Sequence, residues 1–298
     1  MAQMKIGWIG TGVMGKSMAS HVLKAGYPLT VYTRTKSKAS DLLDLGARWA
    51  SNPREVAENS DVVFSIVGYP ADVEQCLIGS EGAIHGLKAN GILCDMTTSS
   101  PGLAARIAEE AAKKSCFALD CPVTGGDIGA QKASLSIFAG GDEKALDRIR
   151  PILEHMGKKI LYCGKAGMGQ RGKLANQIAI AGVMFSTCES ILFAREAGLP
   201  VREWLESVVV GAAGSVAMNT LGRRILDNDA KPGFYIDHFI KDLGLCLDEC
   251  KKLGIVLPGT SQAEQIYRLL QAEGYGKNGT QFLTGGLARM CGKQWEKV

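Results

Sequence analysis

The sequence predicts an α/β chain in which a doubly wound sheet over residues 1–164 gives way to an all-helical part over residues 165–298, the two joined by one long helix. Three observations carry that prediction. Residues 5–15, KIGWIGTGVMG, pass from an apolar strand-like run into a turn with glycines at 10, 12 and 15. Short apolar runs then alternate with helix-compatible stretches as far as residue 164. From Met168 the alternation stops, and the remaining residues read as successive helices.

The glycine turn has the G-x-G-x-x-G spacing, and each glycine has a task. Gly10 allows the tight turn, Gly12 lets a pyrophosphate approach the backbone, and Gly15 packs helix on strand. Met14 to Ala25 reads as the helix, whose first N–H groups and dipole favour an anion. A strand before the turn and a helix after it make this a Rossmann dinucleotide site, with Thr11, Val13 and Met14 among its contacts.

TVYTR, residues 30–34, is the second strand, and its end is where such folds read the adenosine ribose. An NAD-preferring site puts Asp or Glu there to accept from the ribose 2′-hydroxyl. Here Thr33, Arg34 and Thr35 stand at that place, with Lys36 and Lys38 beyond. Basic residues welcome a 2′-phosphate, so NADP is expected, with NAD as the alternative.

DVVFSIV (61–67) and GILCDMT (91–97) read as buried parallel strands, with helical stretches at 53–59, 71–77 and 101–114 between and after them. Ligands of doubly wound sheets bind at strand C-terminal ends, so Val67 to Pro70 and Thr97 to Ser100 should border the nicotinamide half of the cofactor. Ser100-Pro101 is also a good helix start. CFALDCPVTGG (116–126), SLSIFAGG (134–141) and KKILYCG (158–164) supply three more strands. Thr124-Gly125-Gly126 reads equally as a turn or as a nest of N–H groups beside a hydroxyl, suited to a carboxylate.

The long helix spans about 168–197, roughly 44 Å at 1.5 Å per residue, and stops at Gly198-Leu199-Pro200. Further helices are expected at 201–209, 215–227, 236–253, 260–273 and 280–290. Lys173 and Asn176 share a face of the long helix, after the flexible entry Gly164 to Gly169. By itself a lysine near a helix start reads as a solvated surface charge.

With 298 residues, 46% hydrophobic and 21% charged, the chain is long enough for two domains with a sizeable core. Its net charge of +4 comes from scattered residues rather than a basic run, which argues against nucleic acid. Neither a leader pattern nor 18 uninterrupted apolar residues occur, so the expectation is a cytoplasmic protein with no membrane partner. Nine cysteines without a CxxC pair fit reduced, buried thiols. Cys246 and Cys250, four apart on a helix, have no His or further Cys nearby, so packing is expected there and no metal.

Three stretches together give the chain its resemblance to the β-hydroxyacid dehydrogenase family, which includes 3-hydroxyisobutyrate dehydrogenases and glyoxylate/succinic semialdehyde reductases. IGWIGTGVMGKSMASHVLKAGY looks like the family's cofactor signature, DCPVTGG is similar to its D-x-P-V-S-G-G, and GMGQRGKLANQ matches its G-x-G-x-x-x-K-x-x-N. Thr124 replaces the usual serine, keeping the hydroxyl and adding a methyl, which leaves the substrate size preference open. The resemblance implies that Lys173 is the catalytic lysine, Asn176 its helical partner near the substrate, and Thr124, Gly125 and Gly126 the carboxylate cradle. It also implies that Thr98 contacts the cofactor, and that Lys241 of FIKDLGLCLDE approaches it, braced by Asp242.

The implied reaction moves hydride between nicotinamide and a small carboxylate-bearing aldehyde or hydroxyacid, with Lys173 as general acid or base. Within the family the alternative is an NAD-linked 3-hydroxyisobutyrate dehydrogenase. A non-catalytic NADP-binding module is the alternative of another class, against which the pairing of Lys173 with Asn176 argues. Imine-reducing relatives lack the lysine, and phosphogluconate dehydrogenases are longer. The expected partners are a small-molecule substrate and further copies of the chain, as a dimer or tetramer.

Overall fold

The computed structural model describes residues 3–298, and the chain divides into two compact units, the first ending at Lys173 and the second running from Leu174 to Val298.

The first unit alternates strand and helix: β1 (Ile6–Ile9), α1 (Val13–Lys24), β2 (Leu29–Tyr32), α2 (Ser40–Asp44), β3 (Arg48–Trp49), α3 (Pro53–Glu58) and β4 (Val62–Ser65). There follow α4 (Pro70–Ile78), β5 (Ile92–Asp95), α5 (Pro101–Ala112), β6 (Phe117–Asp120), β7 (Val123–Thr124) and α6 (Gly126–Gln131). Then come β8 (Leu135–Gly140), α7 (Glu143–Leu153) and β9 (Gly157–Gly164). The sheet runs β3-β2-β1-β4-β5-β6-β8-β7, with β9 added on β8. β3 through β6 are parallel neighbours, whereas β8 is antiparallel to both β6 and β7. This is the Rossmann arrangement, and chain order reverses between β1 and β4.

Both faces of the sheet are covered, which is why its strands read as unbroken apolar runs. Trp8, Phe64, Ile92 and Cys94 pack on one side, Ile9, Val63 and Leu93 on the other. Trp8 stacks on Phe64 at 5.5 Å. Helix starts are fixed by side-chain caps: Asn52 on α3, Ser100 on α5 and Asp142 on α7.

Several boundaries differ from the sequence expectation. β2 stops at Tyr32 rather than Arg34, since its ladder with β1 ends there. The sequence pattern left α2, β3, α6 and α7 without an element. β3 has two residues and α2 and α6 are short, so periodicity has nothing to act on. α7 contains Pro151, which masks its helical pattern. The first compact unit also extends past residue 164 to Lys173, because the first turn of the next helix is bonded into the sheet.

That helix, α8 (Met168–Glu196), is 29 residues long. Over an 18-residue window its mean hydropathy is 1.5 with 39% of the window buried, although no apolar run of that length is uninterrupted. Length and apolarity of this kind are shared with core helices of soluble proteins. The second unit continues with α9 (Val201–Val208), α10 (Val216–Leu226), α11 (Ile236–Leu253), α12 (Pro258–Ala272) and α13 (Leu283–Met290). Phe239 and Tyr267 meet edge to face at 5.1 Å in its core, beside Ile191 and Leu243. Gly254, in the left-handed region at φ 67°, terminates α11.

Candidate active site

The last residues of five strands form one row. Ile9 of β1 is level with Tyr32 of β2 and Ser65 of β4, Ser65 with Asp95 of β5, and Asp95 with Asp120 of β6. The glycine turn, the Thr33–Thr35 stretch and the loops that carry Val67 and Thr98 therefore emerge at one edge of the sheet, while Thr124 lies beyond this row on β7.

At the centre of that edge, Gly10 has φ +97° and a Cβ there would stand 2.2 Å from the Ile66 carbonyl oxygen. A Cβ at Gly15 would stand 2.1 Å from the Gly10 oxygen, so that glycine lets α1 lie against the turn. At Gly12 a Cβ would meet nothing within 4 Å. Gly12 is also the N-cap of α1 and supplies no side-chain cap, leaving the helix's first amides to an outside acceptor. Thr11 Oγ1 is buried without a hydrogen-bond partner, Met14 is half-buried and Val13 is exposed. A close backbone, open space beside it, an orphan hydroxyl and an uncapped helix start together fit a dinucleotide pyrophosphate.

Beyond β2, Thr33 is half-buried while Arg34 and Thr35 are exposed. Arg34 Nη1 lies 3.3 Å from Asp72 Oδ1, its side chain 81% exposed. Lys36 lies over the Trp49 ring at 5.4 Å, so this end of the edge is basic with one aromatic face.

The loops after β4 and β5 are braced from beneath. Asp95 Oδ1 accepts from Ser65 Oγ at 2.8 Å and from the Thr97 N–H at 3.1 Å. Thr97 Oγ1 in turn accepts from the Val67 N–H at 2.9 Å. Burial pushes the Asp95 carboxyl up to about 6, against these donors. Thr98, half-buried, follows in the same loop.

Asp120 does for α8 what Asp95 does for the loops. Its Oδ1 accepts from the Gly167 N–H and its Oδ2 from the Gln170 N–H, both at 2.7 Å, so the carboxyl caps the helix start. Burial raises it too, to about 6, while the amides that it accepts from oppose the shift. Gln170 then reaches across: Nε2 donates to the Thr97 carbonyl and Oε1 accepts from the Ser99 N–H, each at 2.8 Å. Lys173, three residues further along α8, is 7% exposed.

Ser65, Asp95, Asp120 and Gln170 are absent from the residues that the sequence singles out. Asp95 and Asp120 carried a signal, each being an acid that ends an apolar strand, and Asp120 opens the DCPVTGG stretch. Gln170 carried none, because its partners lie more than 70 residues away.

Thr124 ends β7, paired with Ser136 of β8, and is half-buried. Gly125 at φ +130° and Gly126 at φ +65° are exposed and open α6 without a side-chain cap. His21 of α1 donates from Nε2 to the Ala130 carbonyl at 2.9 Å and lies 3.1 Å from that of Gln131, so the helix after the glycine turn is tied to the helix after Thr124.

In the second unit, Asn176 Nδ2 donates to Gln177 Oε1 at 2.9 Å, and Gln177 Nε2 donates to Asp242 Oδ2 at 2.7 Å. Lys241 Nζ stands 2.8 Å from Asp242 Oδ1 as an ion pair, with both side chains largely buried. Burial and the Lys241 charge hold the nearby His238 below its ordinary value. Among the described residues, no three His, Cys, Asp or Glu side chains gather as metal ligands.

Residues 5–164 match the family model for the NAD binding domain of 6-phosphogluconate dehydrogenase, and residues 167–284 match that for NAD-binding of NADP-dependent 3-hydroxyisobutyrate dehydrogenase. Probable 3-hydroxyisobutyrate dehydrogenase-like 1, mitochondrial, of Arabidopsis thaliana is 53% identical over 287 residues, 96% of this chain and 86% of that protein. The 2-hydroxy-3-oxopropionate reductase of Escherichia coli strain K12 is 36% identical over 271 residues, 91% of this chain and 92% of that one. The crystal structure of 3-hydroxyisobutyrate dehydrogenase from Salmonella typhimurium superposes with a TM-score of 0.87 at 28% identity, covering 95% of this chain and 99% of that chain.

Proposed function

Because the chain belongs to the β-hydroxyacid dehydrogenase family of NAD(P)-dependent oxidoreductases, we propose that it uses NADPH to reduce small aldehydes that carry a carboxylate, with Lys173 as proton donor. One observation supports this reading most. Asp120 and Gln170 bond the first turn of α8 to the ends of β5 and β6, the same edge from which the glycine turn and the Val67 and Thr98 loops emerge.

Gly10 to Gly15 would hold the pyrophosphate, with Thr11, Val13 and Met14 around it, and Thr33, Arg34 and Thr35 would face the 2′-phosphate. When bound, the nicotinamide supplies the hydride. Thr124 Oγ1 and the amides of Gly125 and Gly126 would hold the substrate carboxylate and turn its carbonyl toward Lys173. As negative charge grows on the carbonyl oxygen, Lys173 Nζ gives up a proton to it, and in the reverse direction takes one from the hydroxyl. Burial of Lys173 keeps water from competing for that proton.

A second reading is NAD-linked oxidation of 3-hydroxyisobutyrate, whose substrate, though not its cofactor, is favoured by the names of the Arabidopsis and Salmonella relatives. The two are separated by assaying glyoxylate, succinic semialdehyde and methylmalonate semialdehyde with NADPH and with NADH, for the native chain and for Lys173→Ala. The expected result is NADPH-linked reduction of the first two, with kcat in Lys173→Ala lower by about 10²- to 10⁴-fold and NADPH affinity unchanged. NADH-linked turnover confined to methylmalonate semialdehyde favours the second reading. A Lys173→Ala enzyme within a factor of about three of the native one removes the lysine from the mechanism.

A further inference from the structure

Gln170 is wholly buried and spends each end of its amide on a different backbone group: Nε2 on the Thr97 carbonyl, Oε1 on the Ser99 N–H. Those two residues flank Thr98, and Lys173 lies about one turn further along α8. We propose that Gln170 is a positioning residue, whose amide clamps the start of α8 to the Thr97–Ser99 backbone and thereby sets where the Lys173 ammonium stands against the reacting carbonyl. The inference rests on Lys173 being the proton donor.

The chemistry of the gap selects the side chain. It demands one donor and one acceptor at the end of a four-atom reach, which a carboxylate cannot give because it only accepts, and Lys or Arg cannot give because they only donate. Asn has both functions but is a methylene short. A protonated glutamic acid, however, has nearly the shape of Gln, with an O–H to give to the Thr97 carbonyl and a C=O to take the Ser99 N–H. Ionised, it loses the donor and sets a negative charge against that carbonyl. Gln170→Glu should therefore make the clamp dependent on pH. The charged and titratable groups near the position are Asp120, which accepts from the Gln170 N–H, Asp95, which holds the Thr97 N–H, and Lys173. Burial and the two acids raise a carboxyl at 170 while the Lys173 ammonium lowers it, and at a wholly buried position burial prevails.

The test is the pH profile of kcat for the native chain, Gln170→Glu, Gln170→Met and Lys173→Ala, each with NADPH affinity measured by titration. In Gln170→Glu, kcat is expected to approach the native value at the acid end and to fall reversibly by about tenfold per pH unit above the carboxyl's midpoint, a limb that begins at lower pH than the one which loss of the Lys173 proton gives native chain and variant alike. NADPH affinity should stay within about twofold across that range, since the phosphates are held at the glycine turn. A profile parallel to the native one overturns the proposal. So does loss of NADPH binding in step with kcat, which would make Gln170 a fold-maintaining residue only. If Gln170→Glu does not fold, Gln170→Met decides: a lower kcat at all pH with NADPH binding retained supports the clamp, and an unchanged kcat or lost binding overturns it. A fully active Lys173→Ala sinks the proton-donor reading itself, whereas an inactive one beside a native-like Gln170→Glu sinks the clamp alone.

Discussion

Adding a methyl in turn to Gly10, Gly12 and Gly15 should separate what the turn does for folding from what it does for the cofactor. At Gly12 the backbone, φ −71° and ψ −167°, is open to any residue and a Cβ meets nothing within 4 Å. Gly12→Ala should therefore leave the melting temperature within about 2 °C, a small backbone gain offsetting a slightly poorer N-cap. The open space is the approach to the amides of α1, though, and a methyl there holds a phosphate off. Losing one charge-assisted amide bond costs about 1.5–3 kcal/mol, or roughly ten- to hundredfold in NADPH affinity. Gly10→Ala differs, because φ +97° adds about 1–2 kcal/mol of strain and the Cβ overlaps the Ile66 carbonyl oxygen at 2.2 Å. It should lower the melting temperature by about 5 °C or more and weaken binding with it. Gly15→Ala, blocked by the Gly10 oxygen at 2.1 Å, should behave like Gly10→Ala. Thermal melts and fluorescence titration with NADPH read both quantities. A Gly12→Ala protein that binds NADPH as the native one does would show that no phosphate sits at this turn, and one that melts with Gly10→Ala would refute the geometry.

Two further outcomes are expected. Arg34→Asp should weaken NADPH by about ten- to hundredfold and leave NADH nearly untouched, since the exposed guanidinium can turn from Asp72 to a 2′-phosphate. Equal losses for the two cofactors, or a native chain that does not distinguish them, would remove Arg34 from cofactor choice. Asp95 titrates near 6 in the fold against an ordinary 3.8, because burial disfavours its charge. Between those values the folded chain keeps a proton that the unfolded chain has lost, so its contribution is fully present below about 3.8 and is lost as pH rises through about 6, by about 3 kcal/mol. Asp95→Asn keeps the oxygen that takes both the Ser65 and Thr97 bonds, so its unfolding free energy should fall less between pH 4 and pH 7.5 than the native chain's; parallel curves would disprove the shift.

How much of the molecule was legible in the sequence depends on the range over which each signal acts. The glycine turn, the buried strands and the stop of α8 at Gly198-Leu199-Pro200 are local, and each was legible from a dozen residues or fewer. Lys173 and Asn176 were visible as neighbours on one helix face, and their chemical meaning came from the resemblance. Asp120 and Gln170 escaped because they act at a distance: 50 residues separate Asp120 from the Gln170 amide, and 73 separate Gln170 from Thr97. No periodicity encodes such a pairing. An acid ending an apolar strand is the one trace available in advance, and it should be read as a group seeking N–H donors rather than as the start of a loop.

The level row of strand ends has a consequence for how such a chain tolerates insertions and deletions. Side chains alternate along a strand with period two, so one residue gained or lost inside β1, β4, β5 or β6 would turn every later side chain of that strand to the opposite face. The Ser65 hydroxyl, or the Asp95 or Asp120 carboxyl, would then exchange places with an apolar neighbour and leave its donors behind. The connections entering the strands carry no such alternation: a residue added around Asn59, Asn90 or Ser115 disturbs local bonds, such as that from the Asn90 N–H to the Ser115 carbonyl, but turns no side chain of the row to the other face. A library of single-codon insertions scored for soluble folding should thus be read as a ruler, blank across the strands and filled at the turns that precede them.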